Sequence, residues 1–142
     1  MGINKAKFPK PSVWASFELE TEFIDPPEIR LKLRPILQKD TVIRLLPYVV
    51  KGADIDDREV QAAFDSTVSL IMDKVLDWDL KLDGELIPCN TEMKTWYLEP
   101  LLWERVKIEE DETPDKKPKK TNAWLWYKVL KFASDLNNFV KN

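Results

Sequence analysis

The sequence predicts an α+β fold that is mainly α-helical: an N-terminal two-stranded β-hairpin packed on a small helical bundle, with a tethered C-terminal helix. Three features carry that reading. Apolar and charged residues alternate with period two between Phe17 and Leu33, helical spacing takes over from Asp56, and no large apolar side chain occurs from Glu109 to Lys120. At 142 residues, 44% hydrophobic and 33% charged, the chain matches one ordinary domain with a packed core.

Residues 1–16 hold three lysines, Pro9 and Pro11 with no apolar period, which predicts a flexible N-terminal arm. The hairpin and helical body then span 17–108. Phe17, Leu19, Thr21 and Phe23 alternate with Glu18, Glu20 and Glu22, and after Asp25-Pro26-Pro27 the residues Ile29, Leu31 and Leu33 alternate with Arg30, Lys32 and Arg34. Antiparallel pairing sets the three glutamates against the three basic residues, a register favoured by a few tenths of a kcal/mol per pair, roughly. Two strands alone are marginal in water, so their apolar face needs helices to lie on.

Asp40 to Lys51 supplies one such segment, with Val42, Ile43, Leu45, Leu46, Val49 and Val50, a kink expected at Pro47 and a stop at Gly52. In the next, Asp56 or Asp57 caps a helix whose stripe is Val60, Phe64, Val68, Ile71 and Val75. A tight turn follows at Asp83-Gly84. Thr91 then caps a helix carrying Met93, Trp96, Tyr97, Leu101, Leu102 and Val106, with Pro100 marking a bend or a fresh start. Trp78, Trp96 and Trp103 are expected to pack against these helices. Residues 109–120 read as a charged linker, and 121–142 as an aromatic-rich terminal helix.

Two absences narrow the chemistry. Without histidine the chain has no Ser-His-Asp or Cys-His pair, histidine metal cage or histidine pH switch, and the lone Cys89 allows neither an internal disulfide nor a cysteine zinc site. A net charge of −3 disfavours nucleic acid as the main partner, and no apolar run approaches the ~20 residues of a membrane span. No export signal is read at the N-terminus, so the cytosol is the expected location. Asp54 to Glu59 begins like a calcium loop, but Arg58 and Glu59 occupy the fifth and sixth positions, where an oxygen ligand and glycine belong, and helix capping explains the acids better. Asp77, Asp79, Asp83 and Glu85 read as a solvated turn, with Lys81 standing where a ligand belongs. The expectation is therefore a binding protein, without catalytic, metal or cofactor residues.

The terminal helix is the candidate partner surface, through Trp124, Trp126, Tyr127, Leu130 and Phe139. Aromatic residues concentrate in interface hot spots, so it can dock on another chain, whereas aromatic residues almost all round it also suit completion of the monomer's own core.

In order, the charged strand ending at Pro35, the helix from Asp56, the sequence Trp78, Leu80, Gly84, Pro88 and Glu92, and the helix ending Leu101-Leu102-Trp103 resemble the tail assembly chaperones of long-tailed bacteriophages. The resemblance covers roughly Phe17 to Val106. It implies a small β element before a helical domain, and a non-catalytic protein of the host cell cytoplasm that holds the tape measure protein soluble while tail-tube subunits polymerise around it. Homo-oligomers are also implied; the linker and aromatic terminal helix are not part of the family pattern, and that helix is expected separately to serve as a clip between copies. Two other roles are open: a structural tail or head-completion protein kept in the virion, and a small regulatory protein that binds a host factor.

Overall fold

The computed structural model describes residues 2, 10–41, 56–106 and 124–140. Among them the fold is mixed α+β, as the alternation and the helical spacing require. Strands β1 (Val13–Glu18), β2 (Glu28–Leu33) and β3 (Val75–Trp78) form an antiparallel sheet in the order β1-β2-β3. Helix α1 (Asp57–Lys74) runs directly into β3. A second small ribbon, β4 (Lys81–Leu82) and β5 (Glu85–Leu86), leads to α2, which joins Thr91–Met93, a π-helical stretch Lys94–Leu98 and Glu99–Leu102. Helix α3 (Leu125–Ser134) and a 3-10 turn (Leu136–Phe139) end the described chain.

The hairpin forms, but β1 lies further towards the N-terminus than the glutamate alternation suggests. Val13 to Ser16 are strand rather than flexible arm, and Phe17 faces Ile29. Glu18 therefore lies opposite Glu28, Ser16 opposite Arg30 and Trp14 opposite Lys32, so the expected ladder of opposite charges does not exist. Pro26 and Pro27 lack the N–H that would extend the pairing into 19–27. That loop closes instead through the Leu19 N–H, which donates to the Pro27 carbonyl at 2.8 Å. Across the outer face the Arg30 guanidinium sits 5.3 Å from the centre of the Trp14 ring.

A third strand, which the helical reading of Val75 overlooked, completes the sheet. Helix α1 begins as expected, with the Asp56 carboxylate accepting from the Glu59 N–H at 2.9 Å. Its stripe is buried at Val68 and Ile71 and half-buried at Val60 and Phe64. At Val75 the backbone turns extended (φ −83°, ψ 116°), and Leu31, Leu33, Val75 and Trp78 enter one core with Leu98, Leu101 and Leu102. Trp78 is fully buried, and its indole N–H donates to the Ile87 carbonyl at 2.7 Å.

The cap of α2 is Asn90, not Thr91: its side chain accepts from the Met93 N–H at 2.8 Å. Pro100 cannot donate to the preceding turn, and just before it the Glu99 N–H reaches five residues back to the Lys94 carbonyl. This wider turn leaves Leu98, Leu101 and Leu102 inward and Trp96 outward. Trp96 is thus 69% exposed, contrary to the expectation that it packs in the core.

The terminal helix completes the core of its own chain. Leu125, Val129, Ala133 and Phe139 are fully buried, the Leu125 N–H donates to the Glu104 carbonyl, and the Ile36 N–H donates to the Ala133 carbonyl. Phe132 meets Phe17 edge to face at 6.1 Å. Residues 42–55, which include the apolar segment with Pro47, and 107–123, which include the charged linker, lie outside the described residues.

Near the start of a helical turn at 38–41, the Asp40 carboxylate accepts from the Leu37 N–H at 3.0 Å and meets the Lys74 ammonium at 3.1 Å. The Leu37 N–H and then Lys74 hold its carboxyl below the usual aspartate range, outweighing a raising effect of burial. The stability Asp40 contributes is complete above the ordinary aspartate value of about 3.9 and is lost as pH falls through the lowered folded value. Urea midpoints of Asp40→Asn and the parent chain should accordingly differ at neutral pH and converge in acid; a constant difference across the range contradicts the assignment. Trp78→Phe strands the buried Ile87 carbonyl and should cost about 1–3 kcal/mol in urea unfolding. A cost near zero would mean that the indole bond contributes nothing.

Candidate functional site: an apolar groove

Apolar side chains left outside the core mark the site. The ribbon β4–β5 is closed by Asp83 and Gly84, both at positive φ (52° and 82°), the geometry of a two-residue type I′ turn. Glycine adopts that conformation freely at the second position. The Ile87 N–H then donates to the Leu80 carbonyl at 2.8 Å, and the Arg30 N–H donates to the Asp79 carboxylate at 3.0 Å, which fixes the base of the ribbon to the sheet.

Between this ribbon, the 19–27 loop and α2 lies a groove of about 290 Å³. Leu80, Ile87 and Leu101 form its buried floor. Phe23 and Ile24 from the loop, Leu82 from the ribbon, and Trp96, Tyr97 and Pro100 from α2 form its sides, with Lys81 the charged residue of the lining. Phe23 is 76% exposed, Trp96 69% and Leu82 55%, so much of this apolar surface faces solvent. Fully covering such side chains is worth about 1.5–3 kcal/mol each. The volume lies at the small end of the ~300–1,000 Å³ typical of small-molecule pockets, a size that suits a few apolar anchors.

The five candidate partner residues lie elsewhere. Trp126 is buried, stacked on Trp124 at 5.8 Å and tilted against Phe64 at 5.5 Å, while Trp124 meets Trp103 edge to face at 5.4 Å. Phe139 is fully buried against Phe132, Leu130 is half-buried, and Tyr127 is 37% exposed. Trp126 and Phe139 therefore serve the chain's own core in this conformation.

Of the five motif residues, Leu80 alone lines the groove. Trp78 anchors Ile87 behind it and Gly84 closes the ribbon turn, while Pro88 and Glu92 are exposed, Pro88 before α2 and Glu92 in its first turn. Phe23, Leu82 and Trp96 were not singled out as a surface, because apolar letters at strand or helix spacing carry no mark of exposure. The one available signal was Leu82 and Leu86 flanking a polar turn in a ribbon too short to bury them.

Three acids of these runs accept hydrogen bonds from backbone N–H groups. Asp56 caps α1, Asp77 accepts from the Trp78 N–H and Asp79 from the Arg30 N–H. Among the described residues no group of three or more acidic or cysteine side chains could hold a metal ion, and no helix is long and apolar enough to cross a membrane. No family model, curated protein or solved structure matches the chain.

Burial pushes the Cys89 thiol above its usual pKa; Asp77 adds to this and Lys94 opposes it. Less thiolate forms at neutral pH, so Cys89 should alkylate with iodoacetamide several-fold more slowly than free cysteine, roughly, when followed by mass spectrometry at pH 7.5. Faster labelling than the free amino acid would contradict this environment.

Proposed function

We propose that this chain is a non-catalytic assembly factor that shields an apolar segment of another polypeptide in the groove, acting as a phage tail assembly chaperone on the tape measure protein in the host cytoplasm. The observation that supports it is the open apolar groove, with an exposed tryptophan on one side and an exposed phenylalanine on another. Exposed apolar surface of this kind is costly in water, and aromatic anchors of this type dominate polypeptide interfaces. Of the residues that carry the family resemblance, Leu80 lines the groove and Trp78 holds its neighbour Ile87.

A chaperone that later leaves its client needs a modest interface with few anchors, and a groove of this size meets that need. Self-association belongs to the same reading; Tyr127 and the half-buried Leu130 are the members of the terminal-helix set left at the surface for it.

Co-expression with the tape measure protein of the same genome is the test. The expected outcome is that the client moves into the soluble fraction and co-elutes with this chain, and that Leu82→Glu/Trp96→Glu abolishes both effects while its own thermal melt stays unchanged. A client equally insoluble with and without the chain contradicts the proposal. So does recovery of this chain at fixed stoichiometry in purified virions, which would make it a structural component.

A further inference from the structure

The three stretches that enclose the groove are strongly acidic, although the chain as a whole is nearly balanced. Residues 20–25, 80–87 and 96–101 carry Glu20, Glu22, Asp25, Asp83, Glu85 and Glu99 against the single Lys81, whereas the full sequence has 22 basic and 25 acidic residues. All of these acids except the half-buried Glu99 are exposed. None of the six is in the ion pair seen among the described residues, which joins Lys74 and Asp40.

In sequence the acids neighbour the apolar lining residues. Glu22 and Asp25 bracket Phe23 and Ile24, Asp83 and Glu85 follow Leu82, and Glu99 precedes Pro100 and Leu101. A groove with an apolar lining and enclosing segments of net negative charge favours an occupant with the opposite sign around its own apolar residues, because like charges are repelled and opposite charges speed encounter.

We infer that the groove takes a cationic amphipathic segment of its client, a stretch with apolar residues on one face and lysine or arginine on its flanks, laid between the ribbon and α2. This inference rests on the groove reading above and adds the chemistry of the occupant. The apolar face covers Phe23, Leu82 and Trp96, and the basic flanks meet Glu22, Asp83 and Glu85. Rim charges act mainly on association rate and salt dependence, so affinity is expected to fall with ionic strength more steeply than for a purely apolar contact.

Two fluorescently labelled helical peptides of one length and pattern, one of leucine and lysine and one of leucine and glutamate, test this by anisotropy with the full chain. The lysine peptide should bind about tenfold or more tightly than the glutamate peptide at about 50 mM salt, with the gap narrowing towards about 500 mM. Glu22→Gln/Asp83→Asn/Glu85→Gln should shrink the preference, and Trp96→Ala should weaken the lysine peptide several-fold, roughly, as loss of an interface aromatic does. Both variants alter exposed side chains, and circular dichroism checks that they fold.

Equal binding of the two peptides, lost in Trp96→Ala, overturns the charge inference and leaves the groove reading standing. Binding of the lysine peptide that Trp96→Ala leaves unchanged overturns it as well, by reducing the effect to general surface attraction. A mass in light scattering that drops in Trp96→Ala would show a second copy in the groove and also overturn it. Failure of both peptides, with the tape measure protein still co-purifying, rejects this occupant alone.

Discussion

Burial of Trp78 is the constraint on which the rest of the structure depends. The largest fully buried side chain belongs to a four-residue strand, and its single polar atom is satisfied by the Ile87 carbonyl nine residues on. That bond joins the sheet to the far side of the β4–β5 ribbon, so the ribbon cannot swing away without exposing an indole and stranding a carbonyl. With the ribbon held, Leu82 and Leu86 have no core to enter. Surface that a free hairpin would bury by collapse is kept open beside α2.

The same economy of packing explains α2. Pro100 removes a donor in mid-helix, the turn before it widens, and the inward face passes from Met93 to Leu98, Leu101 and Leu102. Trp96 is left on the outside, across from Phe23. A proline, a tight turn and a buried tryptophan thus produce an apolar groove, and its enclosing segments carry a net negative charge.

Much of this was legible in the letters, and the failures have physical causes. The period-two alternation identified the hairpin, and Asp56, Gly84 and the helical stripe of α1 stand where their chemistry demands. The register of β1 was not legible, because Glu18, Glu20 and Glu22 continue the alternation past the point where Pro26 and Pro27 end the ladder. Strand β3 was hidden because Val75 satisfies helical spacing and strand spacing alike, with no glycine or proline between α1 and the strand. The terminal aromatic residues look the same whether they serve a core or an interface; Leu125, Val129 and Phe139 close the core through contacts distant in sequence. The groove residues were missed for the converse reason, since exposure of an apolar side chain is a property of the fold.

The central claim is that this surface is where the chain meets another polypeptide. Its most direct measurement is the set of six tryptophan indole N–H signals in a nitrogen-15 correlation spectrum, recorded as the tape measure protein is added. The account predicts that the Trp96 signal shifts or broadens first while the buried Trp78 signal keeps its position. Changes confined to Trp14 on the sheet face or to Trp124 and Trp126 in the terminal cluster, with Trp96 unmoved, would contradict it.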